Sequence, residues 1–306
     1  MKSASSLDCI IEISEKISIQ NTSDTIKIDC SNDENNPIID IEIEKSKINN
    51  RIYLECSENQ DIKATINIQI YDNAILEFVD ETNYGRTTNI TMNTAMRPNA
   101  EFELYRFNKF NVSTKNSFVH SCDLKTNCIF RDFNFSNGSK EMSNITKISL
   151  NEKNSKYIGS GVVIADSTNF KNQLDISHLS QSAVSDSSFK TVSRGKSNVT
   201  FQGKVFVDND CSDTVSSQIS KGLVMSDDSK INLTPILEIN NDDVVCSHGA
   251  ASGKPDDTVL FYLASRGIER GDAEKLYMQG FLSEFLNKIE NLQMQSKARD
   301  YISQNC

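Results

Sequence analysis

The 306-residue sequence lacks several features that would assign it to common protein classes. It has no Trp, only 4 Pro, and no apolar run close to the roughly 20 residues of a membrane-spanning helix. Its first eight residues lack the apolar stretch of a secretory signal. With 32 basic and 42 acidic residues, the net charge of −10 argues against nucleic-acid binding, which needs a basic surface. The sequence therefore predicts a cytoplasmic protein that binds neither membranes nor nucleic acids.

Motifs for a self-contained cofactor or nucleotide site are also missing. The eight Cys include no Cys-x-x-Cys pair, so we expect no complete zinc or ferredoxin-type site and mostly reduced, inert thiols. Gly195-Lys196-Ser197 resembles the end of a phosphate-binding loop, but Lys190 stands where that motif needs its first Gly. No Gly-x-Ser-x-Gly elbow is present. The sequence thus gives no direct sign of catalysis.

Alternation of apolar and polar residues dominates from about residue 9 to about residue 245. The segments 39–43 and 66–70 alternate strictly, and Asn, Asp and Ser clusters separate such segments. No helix-period segment intervenes, which disfavours βαβ units. A sandwich or barrel and a solenoid of stacked turns both fit this pattern. Asn73-Ala74 and Asn99-Ala100 each precede a strand-like segment, a weak recurrence that leaves the two alternatives open.

The pattern changes after Gly253. Pro255 and Asp256 are helix-start residues, and Arg266-Gly267 is a typical helix end. Further helices are predicted from about Asp272 and from residue 292 to residue 302. The sequence therefore predicts a β domain over residues 1–253 and an α-helical domain over residues 254–306.

The junction of these two domains carries the strongest candidate for chemistry. If a strand continues through residue 248, Cys246 and His248 project from the same face. A thiol and an imidazole are good iron or zinc ligands, but two ligands do not complete a tetrahedral site. A metal would then need groups from another chain. On chemistry alone, a packed cysteine and a hydrogen-bonded histidine are the favoured interpretation.

At this junction the sequence resembles the SufB/SufD family, the paired scaffold subunits of the SUF machinery for iron–sulfur cluster assembly. The similarity covers about residues 175 to 290, and its Cys-Ser-His-Gly-Ala form resembles the SufD branch. The matching segments are 235–239, 242–250 and 260–268, with Ala273 and Phe281, and further upstream His178, Ser185, Phe189-Lys190, 201–204 and Gln218.

The resemblance implies a right-handed parallel β-helix with a C-terminal helical domain, serving as a non-catalytic scaffold. It implies a SufB-like partner near the end of the β-helix and a SufC-like ABC ATPase, which brings the ATP site, on the helices. A nascent iron–sulfur cluster would assemble at the junction with the SufB-like subunit. His248 would be a ligand or a neighbour of that cluster, and Cys246 a second candidate ligand.

The resemblance also implies residues for partner binding. Asp242 and Asp243 adjoin the predicted seam, although adjacent carboxylates on a strand face opposite ways and solvated turns explain them better. The surface for the ATPase would be formed or oriented by Phe261, Tyr262, Arg266, Phe281 and Phe285. Burial in the domain's own core is the simpler role for most of these five.

One departure from the family pattern and two alternative functions remain to be considered. SufD proteins commonly begin with a helical region, whereas here strand-like sequence begins by Cys9. A β-helix carbohydrate-active enzyme would need a secretion route and a carboxylate cluster along one face of the solenoid. A homodimer that performs the role of SufB alone is a further alternative, because SufB and SufD share a fold.

Overall fold

The computed structural model describes residues 9–13, 17–21, 23–31, 36–45, 50–56 and 60–306. The chain forms a solenoid of about seven turns of parallel strands, followed by three C-terminal helices. This result confirms the predicted β-helix and excludes the sandwich. The hand of the solenoid stays a prediction.

Twenty strands are present in the described part of the chain. They are β1 (Cys9–Ile13), β2 (Ile17–Asn21), β3 (Ile26–Ser31), β4 (Ile38–Ile43), β5 (Asn50–Cys56), β6 (Ile62–Ile70), β7 (Ile75–Asp80), β8 (Asn83–Tyr84), β9 (Thr88–Met96), β10 (Glu101–Phe110), β11 (Lys115–Leu124), β12 (Ile129–Gly138), β13 (Glu141–Leu150), β14 (Lys156–Asp166), β15 (Asn169–His178), β16 (Val184–Arg194), β17 (Asn198–Val207), β18 (Thr214–Val224), β19 (Lys230–Ile239) and β20 (Val244–Gly253).

The strands form two sheets, and each complete turn of the solenoid contributes one strand to each sheet. Sheet A has the order β2-β1-β5-β7-β10-β12-β14-β16-β18-β20, with β8 beside β10. Sheet B has the order β19-β17-β15-β13-β11-β9-β6-β4-β3. Glu101 pairs with Ile129, and Ile129 pairs with Lys156, so these three residues occupy equivalent positions in successive turns.

A recurring corner precedes the strands of sheet A. Six non-glycine residues, one in each of six successive turns, adopt positive φ angles between 57° and 61° at this corner. Asn, Asp and Ser tolerate this left-handed conformation better than most residues do. Each is followed by a small or β-branched residue that is completely buried. The corner residues are Asn73, Asn99, Asn127, Asn154, Ser182 and Asp213.

The interior of the solenoid changes in character along its length. The first turns direct aliphatic side chains inward, among them Ile11, Ile39 and Ile66, all completely buried. Burial of these chains is the main driving force for stacking the turns. Toward the C-terminal end, buried polar groups such as Ser185 and Gln218 occupy inward positions.

The helices follow the last strand as α1 (Asp257–Ser265), α2 (Arg270–Ser283), a 3-10 helix (Glu284–Lys288) and α3 (Leu292–Asn305). The side chain of Asp256 caps α1 by accepting from the N–H of Thr258 at 2.8 Å. The later helices cover the outer face of sheet A, where Phe135 lies 5.4 Å from Phe285 and 5.7 Å from Tyr301 between ring centroids. The division into domains at residue 253 stays a prediction, although that residue ends β20.

The helices of the described chain include none with both the length and the apolar character that crossing a membrane requires.

Candidate functional site at the open end of the solenoid

The C-terminal end of the solenoid is formed by two long edge strands. β20 pairs with β18 and β19 pairs with β17, and within the described residues neither has a strand on its other side. All residues of β20 except Val244 and Cys246 are exposed, and Val245 is 70% exposed. A long edge with unpaired backbone groups and exposed apolar side chains is a template for pairing with another chain.

Cys246 and His248 lie on this edge strand. The strand continues through Gly253, so the two side chains share the inward face, as the alternation predicted. Cys246 is half-buried against the last hydrophobic layer of the interior, while His248 is exposed. Partial burial raises the pKa of the Cys246 thiol, and the backbone N–H of Ser216 acts in the opposite direction. The strand thus brings a thiol and an imidazole together at the mouth of the interior.

A buried chain of hydrogen bonds lies beneath Cys246. Ser216, its in-register neighbour on β18, shares a 2.8 Å hydrogen bond with Ser185 on β16, and Ser185 lies 2.9 Å from Nε2 of His178 on β15. Burial without a nearby charge lowers the pKa of His178 to about 4, so this ring is neutral at pH 7. This series of hydrogen bonds links both sheets directly below the candidate ligands.

The in-register neighbour of His248 is Gln218 on β18. Its side chain is completely buried and crosses the interior to sheet B, where its Nε2 donates to the backbone carbonyl of Gly203 at 3.2 Å. The floor beneath the two candidate ligands is therefore polar, whereas the corresponding layers of the first turns are aliphatic.

Among the described residues, the donor set for a metal is incomplete. Across the residues that the structure describes, no three or more His, Cys, Asp or Glu side chains converge to hold a metal ion. Cys246 and His248 fit iron or an iron–sulfur cluster chemically, since thiolate and imidazole both ligate iron. Two ligands leave the remaining positions to another molecule.

Asp242 and Asp243 form the turn that leads into β20, and both residues are exposed. The N–H of Asp243 donates to the side chain of Asn241 at 2.8 Å, and its carbonyl accepts from the N–H of Asp213 at 2.9 Å. These contacts give Asp243 a role in the turn. The role of the two aspartates in partner binding stays a prediction.

Helix α1 and the residue that follows it present three of the five residues predicted to contact the ATPase. No residue of α1 is buried, and Phe261 and Tyr262 are 75% and 56% exposed. The guanidinium of Arg266 lies 5.3 Å from the centroid of the Tyr262 ring. Together with exposed Val259 these side chains make a largely apolar surface, which we call the α1 patch. Large apolar side chains exposed together on one helix indicate an interaction site.

The other two predicted residues lie inside the helical layer. Phe281 is half-buried, and the ammonium of Lys190 on β16 lies 4.7 Å from its ring centroid and donates to its backbone carbonyl and to Glu284. Phe285 is 2% exposed and packs against the aromatic face of sheet A. It therefore belongs to the core that orients the helices and does not form part of their surface.

Sequence reasoning did not assign a role to the residues beneath the site. The sequence signal that could have identified these residues is a pair of polar residues two positions apart, which recurs once in each of the last three strands of sheet A. Ser185 and Ser187, then Ser216 and Gln218, precede Cys246 and His248 by two strands and one strand of sheet A. Only the register between turns reveals that these pairs stack.

Fold and site together define a parallel β-helix with an open, ligand-bearing end and a helical tail. The family model described as "SUF system FeS cluster assembly, SufBD core domain" matches residues 53–281. The chain therefore belongs to the SufBD family of the SUF system, as its resemblance predicted.

Curated relatives agree with this membership. The chain is 36% identical over 112 residues to the iron–sulfur cluster assembly protein SufD of Escherichia coli, covering 36% of this chain and 26% of that protein. It is 36% identical over 89 residues to SufD of Bacillus subtilis, covering 29% and 20%. A SufBD family protein of Synechocystis is 37% identical over 103 residues, covering 34% and 23%. The matched region thus spans about a quarter of these relatives, whose names support a SufD-type assignment.

Proposed function

We propose that this chain is a non-catalytic, SufD-like scaffold subunit in a complex that assembles iron–sulfur clusters in the cytoplasm. The observation that carries the proposal is the pairing of Cys246 and His248 on an unpaired edge strand, where the described residues supply no third ligand. The cluster is the cargo of this site, and the chain supplies one part of its ligands. The relatives named SufD and the SufBD core match support the same role.

The partner at the open end is a SufB-like subunit. Its edge strands continue β19 and β20 through backbone hydrogen bonds, the mode by which extended segments add to an exposed sheet edge. Val245 and Ile239, both exposed on these strands, supply apolar contacts. Asp242 and Asp243 lie at the end of this seam and contact the same partner.

The partner at the helices is a SufC-like ABC ATPase. The α1 patch is the surface that it covers, because α1 buries none of its own residues against the chain. Only residues 254–256 separate α1 from β20. Movement of the ATPase on α1 would therefore act directly on the strand that carries Cys246 and His248.

Co-expression with a SufB-like protein and a SufC-like ATPase from the same source, followed by purification through a tag on this chain, tests the complex. We expect both partners to be recovered in stoichiometric amounts. Recovery of neither protein would contradict the scaffold role. Recovery of a homodimer with the ATPase, but without the SufB-like subunit, would indicate that the chain pairs with itself and does not form the proposed heterodimer.

Substitution at the site tests its chemistry. His248→Ala should leave the complex intact, because the proposed pairing uses the backbone of β20, and should lower the yield of clusters formed on the complex. His120→Asn, on β11 and away from the open end, serves as the control for loss of an imidazole outside the site. An unchanged cluster yield in His248→Ala would remove His248 from the assembly site.

A further inference from the structure

The Gln218 amide lies across the mouth of the solenoid, one strand below His248. Gln218 is completely buried on β18, and its Nε2 is committed to the carbonyl of Gly203 on β17, in the opposite sheet. This donor contact orients the amide, because a carbonyl can accept only from the nitrogen side. The oxygen is therefore directed away from Gly203's carbonyl.

Gly203 forms a cradle for this amide. A Cβ atom at position 203 would lie 2.3 Å from Nε2, 2.6 Å from Cδ and 2.7 Å from Oε1 of Gln218. All three distances are shorter than real Cβ contacts, so a side chain at position 203 would displace the amide from its place. The two residues together hold one polar group at a defined position.

The Oε1 atom of Gln218 is buried and has no hydrogen-bond partner among the described residues. A buried acceptor left unsatisfied costs about 1–3 kcal/mol, so native proteins seldom keep one without a partner. The in-register residue on the side of the open end is His248, whose side chain shares the inward face at a strand spacing of about 4.8 Å. An imidazole N–H is a suitable donor to an amide oxygen.

We propose that Gln218 is a positioning residue for His248: its Oε1 accepts a hydrogen bond from one ring N–H when the imidazole turns inward. The other ring nitrogen is then unprotonated and faces the open end, ready to bind iron. Ligand histidines commonly have their second nitrogen fixed in this way, and loss of the fixing group weakens metal binding about 10- to 100-fold. The inference deepens the proposed function and rests on it for its biological meaning.

The tautomer of His248 tests the proposal without any cluster. The chain has only 3 His, and His120 and His178 are completely buried, so nitrogen-15 histidine labelling of the full chain gives a spectrum of three rings. At pH 8, above the ordinary histidine pKa of about 6.5, long-range proton–nitrogen correlations identify the tautomer of each ring. We expect a single tautomer for His248 in the unsubstituted chain and a mixture in Gln218→Met.

A second variant and a control keep the test decisive. Gly203→Ala keeps the Gln218 side chain but displaces its amide, so it should give the same mixture as Gln218→Met. Ser187→Ala removes the in-register hydroxyl on the far side of Gln218, which also lacks a partner among the described residues, and should leave the tautomer of His248 unchanged. A mixture already present in the unsubstituted chain, or a single tautomer that persists in both Gln218→Met and Gly203→Ala, would overturn the proposal.

Zinc binding to the purified complex gives a second readout. We expect Zn²⁺ to bind about 10- to 100-fold more weakly when Gln218 is replaced by Met, and with unchanged affinity in the Ser187→Ala complex. Unchanged affinity in Gln218→Met would contradict the positioning role. Normal cluster yield in His248→Ala together with a Gln218-dependent tautomer would instead remove His248 from the assembly site and leave the positioning of the ring intact.

Discussion

The two ends of the solenoid differ in how they terminate the sheets. At the N-terminal end of the described chain, β2 and β3 run antiparallel to their neighbours and have only 5 and 6 residues. Charged Lys27 and Asp29 share the exposed face of β3. At the C-terminal end, β19 and β20 are parallel strands of 10 residues each. Short strands and charges are the usual protection of an edge against pairing, and they are concentrated at the first end.

The interior of the solenoid also differs between its two ends. Aliphatic side chains such as Ile39 and Ile41 fill the first turns, whereas His178, Ser216 and Gln218 line the last ones. Buried polar groups stabilise a fold less than aliphatic ones of the same volume, and they are kept where they serve a specific contact. Both differences support the proposal that the C-terminal end is half of an interface with a partner.

The largest effect should follow from a charge on the exposed edge. Val245→Asp places a carboxylate where the SufB-like partner is proposed to pair, and burying an unpaired charge costs at least about 3 kcal/mol, or more than about a hundredfold in affinity. We expect tagged Val245→Asp to lose the SufB-like subunit in co-purification. The free energy of unfolding of the chain should change by less than about 0.5 kcal/mol, because Val245 is exposed.

Val112→Asp is the matched control. Val112 is 71% exposed, against 70% for Val245, but it lies in the turn after β10 and away from either end. This variant should retain the partner fully. Equal loss in both variants would mean that added negative charge, and not the open end, disrupts the complex.

The helix that leaves the open end should show a smaller, separate effect. Phe261→Ser removes the most exposed aromatic side chain of the α1 patch, and buried aromatic anchors contribute about 2 kcal/mol or more to an interface, about thirtyfold in affinity. We expect weaker ATPase binding, measured by titration calorimetry, with the SufB-like subunit retained. Leu292→Ser, at a residue that is 77% exposed on α3, should leave ATPase binding unchanged. If both variants bind the ATPase more weakly, the docking surface is not confined to α1 and extends over the whole helical layer.

The sequence predicted the alternating strands, and from them the common face of Cys246 and His248, because a period of two is a local property. It did not establish the solenoid by itself. The corners of successive turns use Asn127, Asn154, Ser182 and Asp213 interchangeably, so the repeat is one of backbone conformation and not of residue identity.

The floor of the site could not be derived from the sequence for a related reason. Gln218 lies below His248 because of the register between neighbouring turns, and Gly203 contacts its amide from the opposite sheet, across the interior. The turns differ in length, as the uneven spacing of their corner residues shows, so no fixed spacing connects these residues. The role of Phe285 could not be derived from the sequence either. An aromatic side chain suits a docking surface and a core equally well, and only its packing against Phe135 places it in the core.

Acidification should weaken the C-terminal turns more than the N-terminal ones. The pKa of His178 is about 4 in the folded chain, against 6.5 for an ordinary histidine, because burial disfavours the charged ring. The neutral ring's contribution to stability is complete above pH 6.5 and is lost as the pH falls toward 4. At pH 5 we expect a loss of about 2 kcal/mol from this residue.

Hydrogen exchange at pH 7.5 and pH 5 checks this prediction by comparing β16 and β18 with β4 and β6. His178→Asn should remove the part of the pH dependence in β16 and β18 that His178 contributes, and should leave the part due to buried His120 on β11, whose pKa burial lowers to about 3. His248→Gln, at an exposed ring, should preserve both parts. An identical loss of protection at both ends in the unsubstituted chain would contradict the difference between the two interiors.

The smallest effect concerns the corners, where the two ends should not differ. Asn73 in an early turn and Asp213 in the last complete one have φ angles of 60° and 57°, and each donates its backbone N–H to the next turn. Replacement by Ala should cost about 1 kcal/mol at either position, because Ala disfavours the left-handed conformation, and replacement by Gly should be nearly neutral. Urea denaturation measures the free energy of unfolding of the Ala and Gly variants at both positions. If Asp213→Ala costs nothing, the last turn is not firmly formed in the free chain. The open end would then order only when its partner binds, and the contrast between the two ends would be one of folding and not of exposed surface.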